Sequence, residues 1–353
     1  MDRKICTMTH NQVHWQNLHQ ASRSNPHLLM KYPMMLRFAA LLLLFCTTFA
    51  NAAAPTVLQR PIDLDTGQGV LHGSLLLPQQ DTPPPVVLII AGSGPTDRDG
   101  NNPAGGRIDN LKRLALLLAG EHIASVRFDK RGVAASQPAT PDERQLSVER
   151  YVADTGAWSR KLQADPRFGP LILLGHSEGA LIATLAAEQA GASAVITVAG
   201  SGRPVAQVLR EQLAQRLPAA QLARGNALID RLQAGQTSLD VPPALREVFR
   251  PSVQPYLISL LRQDPAGAFG QLRVPALIIQ GRNDVQVDVA DAERLQAAKP
   301  DAQLALIDGM NHMLRISPRA MSGQRESYQN PELPLARELG QRIVAFIRQL
   351  PQA

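Results

Sequence analysis

Residues 171–183 read LILLGHSEGALIA. An apolar run ends at Gly175, Ser177 follows, Gly179 stands two positions further on, and the apolar character then resumes. The first run is short and continuous, as in a strand buried on both faces, and the second suits a helix. A G-x-S-x-G pattern between strand and helix predicts a sharp turn that holds Ser177 in a strained backbone conformation, with its hydroxyl thrust out at the carboxyl end of a sheet. Glycines two residues to either side remove the Cβ atoms that would clash in so tight a turn. The helix that follows aims unpaired N–H groups at the same point, which suits developing negative charge. Ser177 is therefore a candidate nucleophile.

Working outward, VLQRPIDLD and VLHGSLLL in residues 57–77 alternate apolar and polar around Thr66–Gly69 and predict an antiparallel hairpin. PVVLIIAG, ASVRF at 124–128, AVITVA at 194–199, ALIIQ at 276–280 and QLALI at 303–307 read as further buried strands. Helical periodicity falls at about 109–120, 147–164, 289–299 and 332–349. Buried strands alternating with amphipathic helices predict an α/β fold, a mostly parallel sheet with helices on both faces. Residues 203–270 carry helical patterns and no strand signal, which predicts a helical cap insertion between core segments 55–202 and 271–353.

A serine alone is a poor nucleophile and needs a positioned base and an orienting acid. His72, His122, His176 and His312 are the histidines beyond residue 52. His72 lies in the hairpin, His122 on the approach to a strand, and His176 next to Ser177, where its side chain is expected to pack beneath the turn. His312, in DGMNHML, follows the last strand, and loops at the carboxyl ends of parallel strands converge on one rim. Asp284, in GRND after ALIIQ, stands on the same rim. Asp308 is too close to its strand end, Asp288 suits the start of the next helix, and Gly200–Arg203 offers no acid. The order Ser177, Asp284, His312 is the Ser…Asp…His order of the α/β-hydrolase arrangement. An oxyanion site needs two donors. The backbone N–H of Glu178 is one candidate; the other comes from the glycine-bearing loop after PVVLII, that of Ser93 first and that of Gly94 second.

TDRDGN at 96–101 has a superficial calcium-loop look, but Gly100 falls too early for an EF-hand. A loop braced by its own Asp–Arg pairs is expected, without metal. Arg98 is a candidate substrate-binding residue, placed to meet Glu178 or a substrate carboxylate at the mouth of the site.

These motifs resemble the α/β-hydrolase superfamily from about residue 57 to the end: GHSEG, QGRNDVQV and DGMNH match in order and spacing. FDKRGVAASQP at 128–138 resembles the segment after the fourth strand in many members, although Ala134 stands where a glycine is common. AGSGPTDRDGN at 91–101 resembles a bacterial subgroup of exported esterase-like hydrolases grouped with serine aminopeptidase-like domains, although many relatives carry histidine at the place of Ala91. The resemblance implies a cofactor-free serine hydrolase acting on a small-molecule ester. A peptidase or amidase with the same triad is the second expectation, and a non-catalytic binding protein on a hydrolase scaffold the third.

Residues 1–52 predict export. Lys31 and Arg37 precede the apolar stretch FAALLLLFCTTFA, and Ala50-Asn51-Ala52 has the A-x-A form of a cleavage site. The stretch is too short for a comfortable span, so no stable membrane span is expected in the mature chain. Residues 1–29 lie upstream of this pattern and point to Met30, Met34 or Met35 as the initiator. The formal net charge of +6 includes a surplus of four from this segment. The near-neutral remainder argues against a nucleic-acid partner. Both cysteines, Cys6 and Cys46, also lie there, which excludes a disulfide framework and a cysteine nucleophile from the rest. The expected destination is periplasmic or extracellular.

Overall fold

A computed structural model of the protein describes residues 55–103 and 105–351. The expected signal peptide and both cysteines lie outside the described residues. The apolar runs form one eight-stranded sheet from β1 (Val57–Asp65), β2 (Val70–Pro78), β3 (Val86–Ile90), β4 (Ala124–Phe128), β5 (Leu171–His176), β6 (Ala194–Val198), β7 (Ala276–Gly281) and β8 (Gln303–Ile307). Their spatial order is β1-β2-β4-β3-β5-β6-β7-β8. The β1–β2 hairpin and the β2–β4 pair are antiparallel, and every later pair is parallel. The order reverses at β3: the chain moves outward to β4, then returns to lay β5 on the other side of β3. Loops leaving β3 and β5 diverge at such a switch point and open a crevice at the carboxyl ends.

Successive residues of a strand face opposite sides, so each strand feeds two cores. On one face Val87, Ile89, Ile172 and Leu174 pack against α1 (Asn110–Gly120) and a C-terminal helix, Arg337–Gln349. On the other, Val86, Leu88, Leu171 and Leu173 pack against α2 (Val148–Gln163) and α3 (Glu178–Ala186). Between β6 and β7 the chain is helical: α4 (Val205–Ala214), α5 (Ala219–Gln233), α6 (Arg246–Phe249), α7 (Gln254–Leu261) and α8 (Pro265–Gly270). Much of this segment shares its own core, around Leu228, Ile229, Leu232, Phe249 and Leu261. After β7 come α9 (Val289–Ala298), α10 (Met321–Ser327) and α11, the C-terminal helix already described.

Two expectations shift. The last helix begins at Arg337 rather than near residue 332, because Pro331 and Pro334 interrupt the preceding stretch. Helix α10 carried no periodic signal; distant contacts hold it, since Gln324 donates to the carbonyls of Asn283 and Pro318.

The turn from β5 into α3 is as tight as its sequence requires. Ser177 has φ 56° and ψ −122°. A Cβ on Gly175 would stand 2.0 Å from the carbonyl oxygen of Gly179, and one on Gly179 would stand 2.3 Å from that of Ile90. Ala134 also carries positive φ, at 45°, a left-handed conformation that alanine tolerates poorly.

Gly179→Ala is expected to lower unfolding free energy by roughly 2–3 kcal/mol, the upper end of what overpacking costs. Gly120→Ala, where an added Cβ meets nothing within 4 Å, is expected to be neutral or slightly stabilising. Urea unfolding midpoints of the two variants check the contrast.

Candidate active site

The reversal in strand order brings two loops side by side. Ile90 pairs with Gly175, so the loop after β3 and the turn after β5 leave the sheet at one level. Gly92 lies against Ser177: a Cβ there would stand 3.2 Å from the serine Cβ. Ser93 follows at an exposed position. Neither its backbone N–H nor that of Glu178 donates a hydrogen bond within the described chain. Both N–H groups suggested by the sequence are thus unengaged, one in the residue after Ser177 and one in the residue after Gly92.

The acid and the histidine are held from below. Gly281 ends β7 in close contact with the histidine loop, since a Cβ there would stand 2.1 Å from the Met310 carbonyl oxygen. Asp284 and His312 meet across this contact, with His312 Nδ1 2.7 Å from Asp284 Oδ2. Oδ1 of Asp284 accepts the backbone N–H groups of Gln286 and Val287 at 2.7 and 3.0 Å. Burial pushes the Asp284 carboxyl up, but the imidazole and these two N–H groups outweigh it and leave the carboxyl below its ordinary value. Asp284 is therefore an anion at neutral pH and can only accept. The proton between the pair belongs to His312 Nδ1, so in the neutral imidazole Nε2 is the acceptor. Asn311 fixes the loop, accepting from the N–H groups of Met313 and Arg315 and donating to Gln324 and Ser327.

His176 links this pair to the serine. Its Nε2 lies 2.9 Å from the carbonyl oxygen of His312, and the two rings stand 4.9 Å apart. A carbonyl only accepts, so His176 Nε2 carries the proton. Burial, with His312 nearby, holds the His176 pKa down to about 3, and the ring stays neutral. His176 does pack under the turn, as expected, and it also ties His312 to the residue preceding Ser177. The Ser177 hydroxyl itself forms no hydrogen bond within the described chain.

The Arg98–Glu178 contact is corrected. The Arg98 guanidinium and backbone N–H both bind Asp129, at 2.7 and 2.8 Å, so Arg98 is committed to the end of β4. The cation beside Glu178 is Lys130, with Nζ 3.6 Å from Oε1. The 96–101 loop is braced by Asp–Arg pairs, but not by its own: Arg127 binds Asp99 at 2.7 Å and Asp129 binds Arg98, so both partners come from the β4 segment. Asp97 caps the loop, accepting from Asp99 and Asn101 at 2.8 Å. Asp288 opens α9 in a capping box with Asp291, and Asp308 pairs with Arg282 at the surface. Among the described residues no group of three or more His, Cys, Asp or Glu is arranged to hold a metal, and no helix is long and apolar enough to cross a membrane.

Sequence reasoning missed Gln280 and Asn311 as supports and, although it marks Lys130 as structural, the pairing of Lys130 with Glu178. Gln280 donates to Asp284 Oδ2 at 3.3 Å and to the Val287 carbonyl at 2.9 Å. A buried glutamine ending an apolar strand and a lysine in FDKRG were the available signals.

The model of the family described as serine aminopeptidase, S33, matches residues 104–318. The esterase EstD of Thermotoga maritima is 27% identical over 249 residues, 69% of this chain and 58% of its own. The chain thus spans less than two thirds of that relative's length. Among solved structures, Est1E from Butyrivibrio proteoclasticus with ferulic acid superposes with a TM-score of 0.56 at 15% identity, over 82% of this chain and 98% of its own. The esterase domain of a Rhodothermus marinus protein gives 0.52 at 18%, over 83% and 98%. These likenesses establish an α/β-hydrolase fold.

The neutral His176 generates a pH prediction. An unfolded histidine takes up its proton near pH 6.5, whereas the folded one does so only near pH 3. Stability is therefore intact above about pH 6.5 and declines as pH falls toward 3, by up to about 1.4 kcal/mol per unit. His176→Gln, whose amide can still donate to the His312 carbonyl, should lack this component. Denaturant unfolding at pH 7, 6, 5 and 4 compares the slopes.

Proposed function

We propose that this chain, which belongs to the serine aminopeptidase S33 family of the α/β-hydrolase superfamily, hydrolyses carboxylic esters of small molecules through an acyl-enzyme on Ser177. The observation that carries the reading is the Asp284–His312 bond of 2.7 Å, with the imidazole's other nitrogen left as the acceptor and the ring tied to the nucleophile turn by His176.

Ser177 Oγ attacks the ester carbonyl while His312 Nε2 takes its proton. Asp284 holds the tautomer that makes this possible and stabilises the imidazolium that forms. The carbonyl oxygen, now an anion, is received by the N–H groups of Ser93 and Glu178. His312 then returns the proton to the departing alkoxide. Water, activated by the same imidazole, releases the acid and restores the serine. No step calls for a cofactor. The helical segment between β6 and β7 is proposed as the cap that selects the acyl and alcohol groups. The charged and apolar pattern of residues 31–52 supports export of the protein. Amino-terminal sequencing of the exported form, starting after Ala52, tests that part.

The family description brings an aminopeptidase reading with it, and the charges favour the ester. A free amino terminus needs an anion near the scissile bond. Glu178 faces Lys130, Asp129 holds Arg98, and Asp284 holds His312, so the carboxylates around the turn are already engaged.

Short-chain p-nitrophenyl esters should be hydrolysed well ahead of aminoacyl p-nitroanilides. Ser177→Ala should reduce ester turnover by roughly 10⁴-fold or more, and Asp284→Asn by about 10⁴-fold, with the fold retained. Steady-state rates with both substrate classes decide the matter: equal activity of Ser177→Ala and wild type would remove the serine from the mechanism.

A further inference from the structure

The mechanism leaves the buried pair of Lys130 and Glu178 unused. Lys130 follows β4 and is 2% exposed, and the Glu178 side chain beside it is 8% exposed. The ammonium is engaged in three directions. It donates to the Gly92 carbonyl, faces Glu178 Oε1, and stands 5.3 Å from the centre of the Tyr151 ring. Burial pulls the ammonium below its ordinary pKa, and Glu178 opposes that shift. Lysine, a point charge with three donors, fits such a divergent set of partners.

The Gly92 carbonyl and the Ser93 N–H belong to one planar trans peptide, so they point in opposite directions. A lysine that draws the carbonyl inward turns the N–H outward. Ser93 is exposed, and Gly92 lies against Ser177. The flipped peptide would turn the carbonyl oxygen toward the serine, where it would repel a developing oxyanion. Lys130's counter-ion is the side chain of Glu178, whose own backbone N–H is the other donor.

We propose that Lys130 is a positioning residue for the oxyanion site: its bond to Gly92 sets the Gly92–Ser93 peptide with the N–H facing Ser177, and its pairing with Glu178 couples that donor to the second. The proposal rests on the reading of Ser177 as nucleophile and on Ser93 and Glu178 as donors.

The test uses Lys130→Met, together with Lys130→Met/Glu178→Met, which leaves no unpaired carboxylate buried and keeps the backbone N–H of residue 178. Three quantities are measured: kcat and KM on p-nitrophenyl acetate, the inhibition constant of an alkyl trifluoromethyl ketone, and the crystal structure of a variant. The ketone's adduct with Ser177 places an oxygen anion in the same hole. The expected result is a kcat lower by roughly tenfold to a hundredfold, short of the loss of a whole donor, and an inhibition constant raised by a similar factor. KM should stay within about twofold, because the donors act on the transition state. The variant's 92–93 peptide should be rotated. A folded variant with kcat and inhibition unchanged, or with that peptide in its original orientation, overturns the proposal. Failure of the underlying reading shows itself separately, as wild type no more active than Ser177→Ala; the orientation of the peptide is still read from the variant's structure in that case.

Discussion

The site depends on a steric constraint, the absence of room for a single carbon atom at the start of α3. Gly179 sits under the carbonyls of Ile90 and Ala91, which an added Cβ would approach to 2.3 and 2.7 Å. This close packing lets the end of β3 and the end of β5 share one corner of the sheet with the first turn of a helix. Gly281 plays the same part further along, where it admits the Met310 carbonyl. The first contact brings the loop after β3 against the serine turn, and the second brings the end of β7 against the His312 loop. Hydrogen bonds then hold an arrangement that backbone sterics has already made possible.

Electrostatics ties these corners together through one short segment. Arg127, Asp129, Lys130 and Arg131 are each no more than 3% exposed. Four consecutive or near-consecutive charges in a protein interior require partners, since an unpaired ion there is strongly destabilising. Their partners come from separate parts of the chain. Asp99 and Arg98 lie in the loop after β3, Glu178 opens α3, and Asp154 lies in the middle of α2. Arg131 also reaches the β1–β2 hairpin through Thr66 and Gln68. The end of β4 thus acts as a junction to which the loop, the turn, the hairpin and a helix are each fastened.

The legibility of this arrangement in the sequence follows the range of the interactions. Strands β3, β5 and β7 are visible as uninterrupted apolar runs because both of their faces are buried. The serine turn is visible because its glycines answer a local steric need. Asp284 and His312 are reached through topology, since parallel strands send their loops to one rim. Side-chain orientation is where the reading stops. Arg98 and Lys130 are both cations within reach of Glu178 on paper; only the parallel pairing of β3 with β4 decides that Asp129 takes the first and leaves the second to Glu178. The bond from His176 to the His312 carbonyl spans 136 positions, and no spacing announces it. Helix α10 escapes notice for a similar reason, as its stability comes from Gln324 and Ser327 bonding outside it.

The helical stretch between β6 and β7 is bound to α9 at both of its ends and to the core in between, where Ser259 accepts from the Val148 N–H. At its root, Asp291 of α9 accepts from Ser201, Gly202 and Arg203. At its far end, Gly270 lies so close to the last turn of α9 that a Cβ would stand 2.9 Å from the Ala298 carbonyl oxygen. Much of its interior is its own. A segment fastened at both ends to one helix, with a partly separate interior, can vary along its exposed side while those attachments are kept. Its sequence can then drift among descendants of such a chain while the sheet and the turn at Ser177 are inherited unaltered.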